Sequence, residues 1–144
     1  MKRFRFALQR VLELRENAEQ EAKIALGRAV GELTLIEQRI ASVTGERSRA
    51  MEQRFASDNS LTDMQHYERY ITRLDQTRDK LLMDAARAEL AVAEKRDAFL
   101  DASRERKAVD KLKERRVGEY KKYARTEDYK EADEAARRAP MGVV

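Results

Sequence analysis

The sequence predicts an all-α protein, a two-helix antiparallel coiled-coil hairpin with an overhanging C-terminal helix. Three observations carry that expectation. Apolar residues recur at alternating three- and four-residue spacing through two long segments separated by one short break, the pattern that keeps a narrow stripe facing a partner helix. Charged residues make up 40% of the chain and the mean hydropathy is -0.82, too polar to fill a two-layer globular core but suited to solvated helical faces. The only proline is Pro140, so nothing interrupts a helix before the last few residues.

The first helix is expected over about residues 4–55, with its seam on Leu8, Leu12, Ala22, Leu26, Ala29, Leu33, Ile36, Ile40, Val43 and Ala50. The seam fails in the stretch F-A-S-D-N-S-L-T-D, which places the turn at about 56–61. Asp58 and Asn59 tolerate the left-handed conformation that ends helices. Ser60 with Asp63, or Thr62 with Gln65, can form a capping box that starts the next helix. The second helix is expected over about 60–138, with seam residues Met64, Tyr67, Ile71, Leu74, Leu81, Ala85, Ala88, Val92, Phe99, Ala102, Val109, Tyr120 and Tyr123. A short tail, 139–144, completes a chain read as one coiled-coil rod. At 1.5 Å rise per residue the helices span roughly 75 Å and 115 Å, so the second outruns the first.

A fold centred near Asp58 makes the helices antiparallel and sets facing residue numbers to a sum of about 117. Leu26 then lies by Val92, Leu33 by Ala85 and Val43 by Leu74. The small residues Ala22, Ala25, Gly27, Ala29 and Gly31 fall opposite Ala85, Ala86, Ala88, Ala91 and Ala93, which allows close helix approach. Polar seam positions Arg15, Glu19, Arg47, Arg78 and Lys95 cost stability but fix register, with Glu19 and Lys95 suitably placed to pair.

The chain offers little chemistry. It has no cysteine and one histidine, His66, so neither a thiolate nor a recognisable metal-ligand set is available. Gly27-x-x-x-Gly31 lacks the Lys-Ser/Thr of a phosphate-binding loop and reads as helix packing. Glu131, Asp133 and Glu134 read as exposed helix charges. These features argue against an enzyme, a cofactor or a small-molecule substrate. With neither a signal segment nor an apolar run near the roughly 20 residues of a membrane span, a soluble cytoplasmic protein is expected.

Charge is unevenly spread. Residues 103–125 hold ten Lys/Arg against four Asp/Glu, while Lys2, Arg3, Arg5, Arg10 and Arg15 face only Glu13 in the first fifteen positions. In a hairpin these stretches lie side by side and make one end basic. Acidic residues interrupt the basic run and no aromatic–basic platform accompanies it, which favours an acidic protein partner over nucleic acid. A second patch, Tyr67, Tyr70 and Leu74, lies near the turn. Tyr67 and Leu74 are on the seam, and Tyr70, one position off it, is free to face solvent.

The N-terminal stretch F-R-F-A-L-Q-R-V-L-E-L-R, with Phe4, Phe6, Leu8, Gln9, Val11, Leu12, Leu14 and Arg15, resembles the start of the FliJ family of the bacterial flagellar protein-export apparatus. Arg104, Lys107, Leu112, Arg115, Arg116 and Tyr120, followed by Asp133-Glu134-Ala135, are similar to that family's C-terminal half. The resemblance implies a coiled-coil stalk, like the central subunit of rotary ATPases, whose terminus-bearing end enters and activates the flagellar export ATPase ring. It further implies contact with the export-gate membrane protein and with export chaperones, and so a cytoplasmic protein held peripherally at the inner membrane. On this reading Phe4, Phe6, Arg10, Arg104, Arg106, Lys111, Arg115 and Arg116 are the ATPase-contact candidates, and Tyr67, Tyr70 and Leu74 the export-gate candidates. The alternatives are the equivalent stalk of a virulence type III secretion system or a rotary ATPase, and a generic basic coiled-coil scaffold or nucleic-acid binder.

Overall fold

The computed structural model describes residues 3–139. Two helices carry nearly all of them, α1 (Gln9–Gln53) and α2 (Leu61–Arg138), and the described residues contain no strand. The chain forms two compact units, one of Glu21–Leu100 and one of Met1–Gln20 with Asp101–Val144. Of the expected tail, the part from Pro140 onward lies outside the described residues, as do Met1 and Lys2.

In the unit Glu21–Leu100, the helices pack antiparallel: Arg47 of α1 pairs with Asp75 at 2.6 Å, and Arg54, seven residues later, pairs with Glu68 at 2.6 Å, seven residues earlier. Ala29, Ala50, Ile71, Leu74, Ala85 and Val92 are buried, and each is a seam residue. Between them Leu26, Leu33, Ile36, Ile40, Val43, Leu81 and Ala88 are half-buried, as a two-helix contact allows, because neither helix can be covered on more than one side. The polar seam positions are resolved as ion pairs. Arg78 joins Arg47 on Asp75 at 3.7 Å, while Lys95 stays exposed.

Two expectations need correcting here. The partners of Arg47 and Arg54 lie about one helical turn further along α2 than a fold centred near Asp58 gives. Gly27 and Gly31 do not pack against α2 either. Both are exposed, and a Cβ built on either would meet no atom within 4 Å. The small residues turned away from solvent are alanines instead, with Ala29 and Ala85 buried and Ala22, Ala25, Ala88 and Ala91 half-buried.

The turn is held by side chains that satisfy the two helix ends. The Asn59 amide donates to the carbonyls of Gln53 at 2.6 Å and Arg54 at 3.2 Å, closing the C-terminus of α1. Of the two candidate capping boxes, Ser60 with Asp63 is formed. The Asp63 amide donates to Ser60 Oγ at 3.2 Å, and the Ser60 amide donates to Asp63 Oδ2 at 3.0 Å. Ser60→Ala should therefore cost about 1 kcal/mol, read as a lower midpoint in urea by circular dichroism. The hydrogen bonds from Ser60, backbone first and hydroxyl second, hold the Asp63 carboxyl below its ordinary value. A depressed folded pKa adds stability above the unfolded value and loses it as pH falls through the folded one. Asp63→Asn should consequently lower the melting temperature at neutral pH, and the gap to wild type should close below about pH 4.

In the unit formed by Met1–Gln20 with Asp101–Val144, Leu12 is the buried seam residue, at 2% exposure. Lys113 donates to Gln9 at 2.9 Å, Arg15 pairs with Glu105, and Arg106 bridges Glu19 and Asp110. Glu19 thus receives Arg106, not the expected Lys95, because the pairing is again displaced along α2. The first helix begins at Gln9, five residues later than expected. Residues 3–6 are non-helical, with Phe4 and Phe6 half-buried, Arg5 exposed between them and Arg3 exposed before them. After Glu127 every described residue of α2 is exposed, which is the overhang.

Candidate functional site

The non-helical segment ahead of α1 builds the more developed surface feature. Exposure alternates along it, with Phe4 and Phe6 half-buried and Arg3 and Arg5 exposed. The Phe4 ring lies 5.4 Å from that of Tyr120, tilted by 48°, an arrangement favoured by the ring quadrupoles. Around this contact runs a groove of ≈ 440 Å³ whose lining includes Phe4, Phe6, Leu8, Leu112, Arg116 and Tyr123. Leu8 and Tyr123, expected in the seam, are exposed here at 38% and 65%. Leu112 and Tyr120 join the groove without being among the residues that the sequence marks as contact candidates. The signal for them is the two-residue alternation Phe4, Phe6, Leu8, which does not fit the period of a helix.

The basic candidates divide into two groups. Arg10, Lys111, Arg115 and Arg116 are exposed, and Arg104 is exposed with only a long contact of 3.5 Å to Asp101. Arg106 differs. It is half-buried and hydrogen-bonded to both Glu19 and Asp110, and these bonds raise its already high pKa further. Its charge is used inside the chain, where it fixes the pairing of the helices. The structure therefore brings together Phe4, Phe6 and Arg116 at the groove and leaves Arg106 as an internal strut.

Near the turn, the second set of candidates separates too. Leu74 is buried at 7% exposure and belongs to the core. Tyr67 is half-buried, while Tyr70 is exposed and its hydroxyl donates to Glu46 at 3.2 Å. Partial desolvation, then the bond to Glu46, pushes the Tyr70 phenol up. Tyr67 and Tyr70 line a shallow depression of ≈ 500 Å³ with Asn59, Asp63, His66 and Arg73. Polar groups dominate it, so it suits a surface contact and not an apolar ligand. Among the described residues no three His, Cys, Asp or Glu side chains are grouped to hold a metal ion. None of the helices is long and apolar enough to cross a membrane over those same residues.

Comparison with known proteins gives one match. The family model described as "FliJ: Flagellar FliJ protein" matches residues 4–142. No match was found among curated proteins or among solved structures.

Proposed function

Because the chain belongs to the flagellar FliJ protein family, we propose that it is the coiled-coil stalk of the flagellar type III export apparatus, entering and activating the export ATPase ring. Membership makes it a flagellar export-related coiled-coil protein; the ATPase, the export gate and the export chaperones are the partners this reading adds. One observation carries the ATPase contact. In the unit formed by Met1–Gln20 with Asp101–Val144, exposed cations stand around an aromatic groove, with Arg116 and Phe4 on the same lining. Aromatic rings supply desolvated contact area and the cations supply steering, the two components of a specific protein interface. The role asks no catalysis of the chain and no cofactor. It holds the protein on the cytoplasmic side of the inner membrane through its partners.

Phe4, Phe6, Arg10, Arg104, Lys111, Arg115 and Arg116 are the ATPase-facing residues of this proposal. Tyr67 and Tyr70 remain as the gate-facing pair, with Leu74 supporting them from the core. The test is stimulation of the purified export ATPase by wild type and by Arg104→Glu with Arg115→Glu. Exposed charges act on encounter and orientation, so the double reversal should weaken stimulation about tenfold, and the deficit should deepen as salt is lowered. Arg39→Glu with Arg69→Glu, also exposed, reverses the same number of charges elsewhere and should stimulate normally. Equal stimulation by both double variants at low salt would remove the basic face from the mechanism.

A further inference from the structure

Within the unit Glu21–Leu100, α2 carries a second seam. Its inner one, through Ala85 and Val92, is buried against α1. On the opposite side Met83, Ala86, Leu90, Ala93, Asp97 and Leu100 recur at spacings of three and four. Met83, Leu90 and Leu100 are 62%, 68% and 43% exposed, and Ala86 and Ala93 are exposed as well. A heptad pattern with one polar member, on a helix face left exposed by the described residues, is a coiled-coil surface without a partner.

We infer that this face docks a second copy of the chain, α2 against α2 and antiparallel, about a two-fold axis passing between Ala91 and Val92. The sequence around the seam selects that occupant and that direction. In this register Leu90 meets Ala93 of the second copy and Met83 meets its Leu100, so large residues fill the space left by small ones. Asp97 meets Ala86, where a lone polar side chain in the seam penalises other registers. The flanking positions carry Arg87, Glu89, Glu94 and Arg96, all exposed. Among the described residues none of the four is in an intrachain ion pair. Antiparallel pairing sets Arg87 across from Glu94 and Glu89 across from Arg96, each twice by symmetry. Parallel pairing instead sets Glu89 against Glu94. Charge thus favours one orientation and opposes the other.

The test is sedimentation equilibrium of the full-length chain from micromolar into the hundred-micromolar range. The mass should rise with concentration towards twice that of one chain. Leu90→Glu, which places a charge at both central layers, should weaken association at least about a hundredfold while leaving helicity by circular dichroism unchanged. Arg87→Glu should weaken it about tenfold, and adding Glu94→Arg should restore it to within about a factor of two. Because the chain has no cysteine, orientation can be read directly. Under oxidation, Leu90→Cys protein mixed with Ala93→Cys protein should yield the disulfide-linked heterodimer in excess of either homodimer. A monomer at every concentration, a dimer insensitive to Leu90→Glu, or preferential homodimer cross-linking at either position would each overturn the inference. The first would leave the face to another protein's helix and the last would indicate a parallel pair. None of these outcomes bears on ATPase stimulation.

Discussion

Leu74→Asp is expected to destabilise the protein by about 3 kcal/mol or more, enough to abolish a cooperative melt near physiological temperature. Leu74 is 7% exposed, and the introduced carboxylate would sit next to Asp75, whose charge is already matched by Arg47 and Arg78. Replacing a buried leucine with a carboxylate forfeits its apolar burial and desolvates the introduced group, and both costs act in the same direction. The measurement is thermal melting by circular dichroism at pH 7. The outcome also decides how the gate hypothesis can be tested. A variant at Leu74 that lost gate binding would be reporting unfolding, whereas Tyr70→Ala changes an exposed side chain and leaves the seam intact. A Leu74→Asp protein with wild-type melting would mean that Leu74 is a surface residue after all.

The second large effect has the opposite sign. Gly27→Ala with Gly31→Ala should stabilise the protein by roughly 1.5–2 kcal/mol. Both positions lie inside α1, where glycine gives up the most backbone freedom on folding, and the new methyl groups would meet open space. The gain comes chiefly from the unfolded chain, which has fewer conformations to lose. Urea denaturation should show a higher midpoint with an unchanged slope. If the double variant is instead less stable, the glycines are in contact with something, and α1 has a neighbour on its outer side.

The seam was legible in the sequence because burial is periodic. Every buried residue among the described ones, from Leu12 to Val92, falls on it. The capping box at Ser60 and Asp63 was legible because its chemistry is local. Register was not. A heptad seam slid by one turn still presents apolar to apolar, so the pattern barely distinguishes the two pairings. What distinguishes them is the set of cross-helix partners, Gln9 with Lys113, Arg47 with Asp75 and Arg54 with Glu68, which no periodicity encodes. The site was legible only as a stretch. Charge density marks the region containing Arg104, Arg106 and Arg115, yet density cannot tell an outward cation from one already taken. Arg106 is taken, by Glu19 and Asp110. The start of α1 was misplaced for a simpler reason. Phe4, Phe6 and Leu8 alternate with a period of two, which a helical face does not accommodate.

The overhang beyond Glu127 has a thermodynamic consequence. Its residues are all exposed, and its side-chain ties there are Lys130 to Glu127 at 4.0 Å and Arg138 to Glu134 at 3.9 Å. Such surface pairs contribute a few tenths of a kcal/mol each, and a short helix with no tertiary packing is marginal in water. Its amides should therefore exchange with solvent orders of magnitude faster than those around Leu12 or Leu74, and its helicity should decline gradually on warming while the seam still holds. A single melting temperature would then average two processes, one cooperative and one not. Whatever protein grips this segment must first bear the entropy of fixing it, so binding there would show a large favourable enthalpy opposed by ordering, together with slowed exchange confined to the last dozen residues of α2.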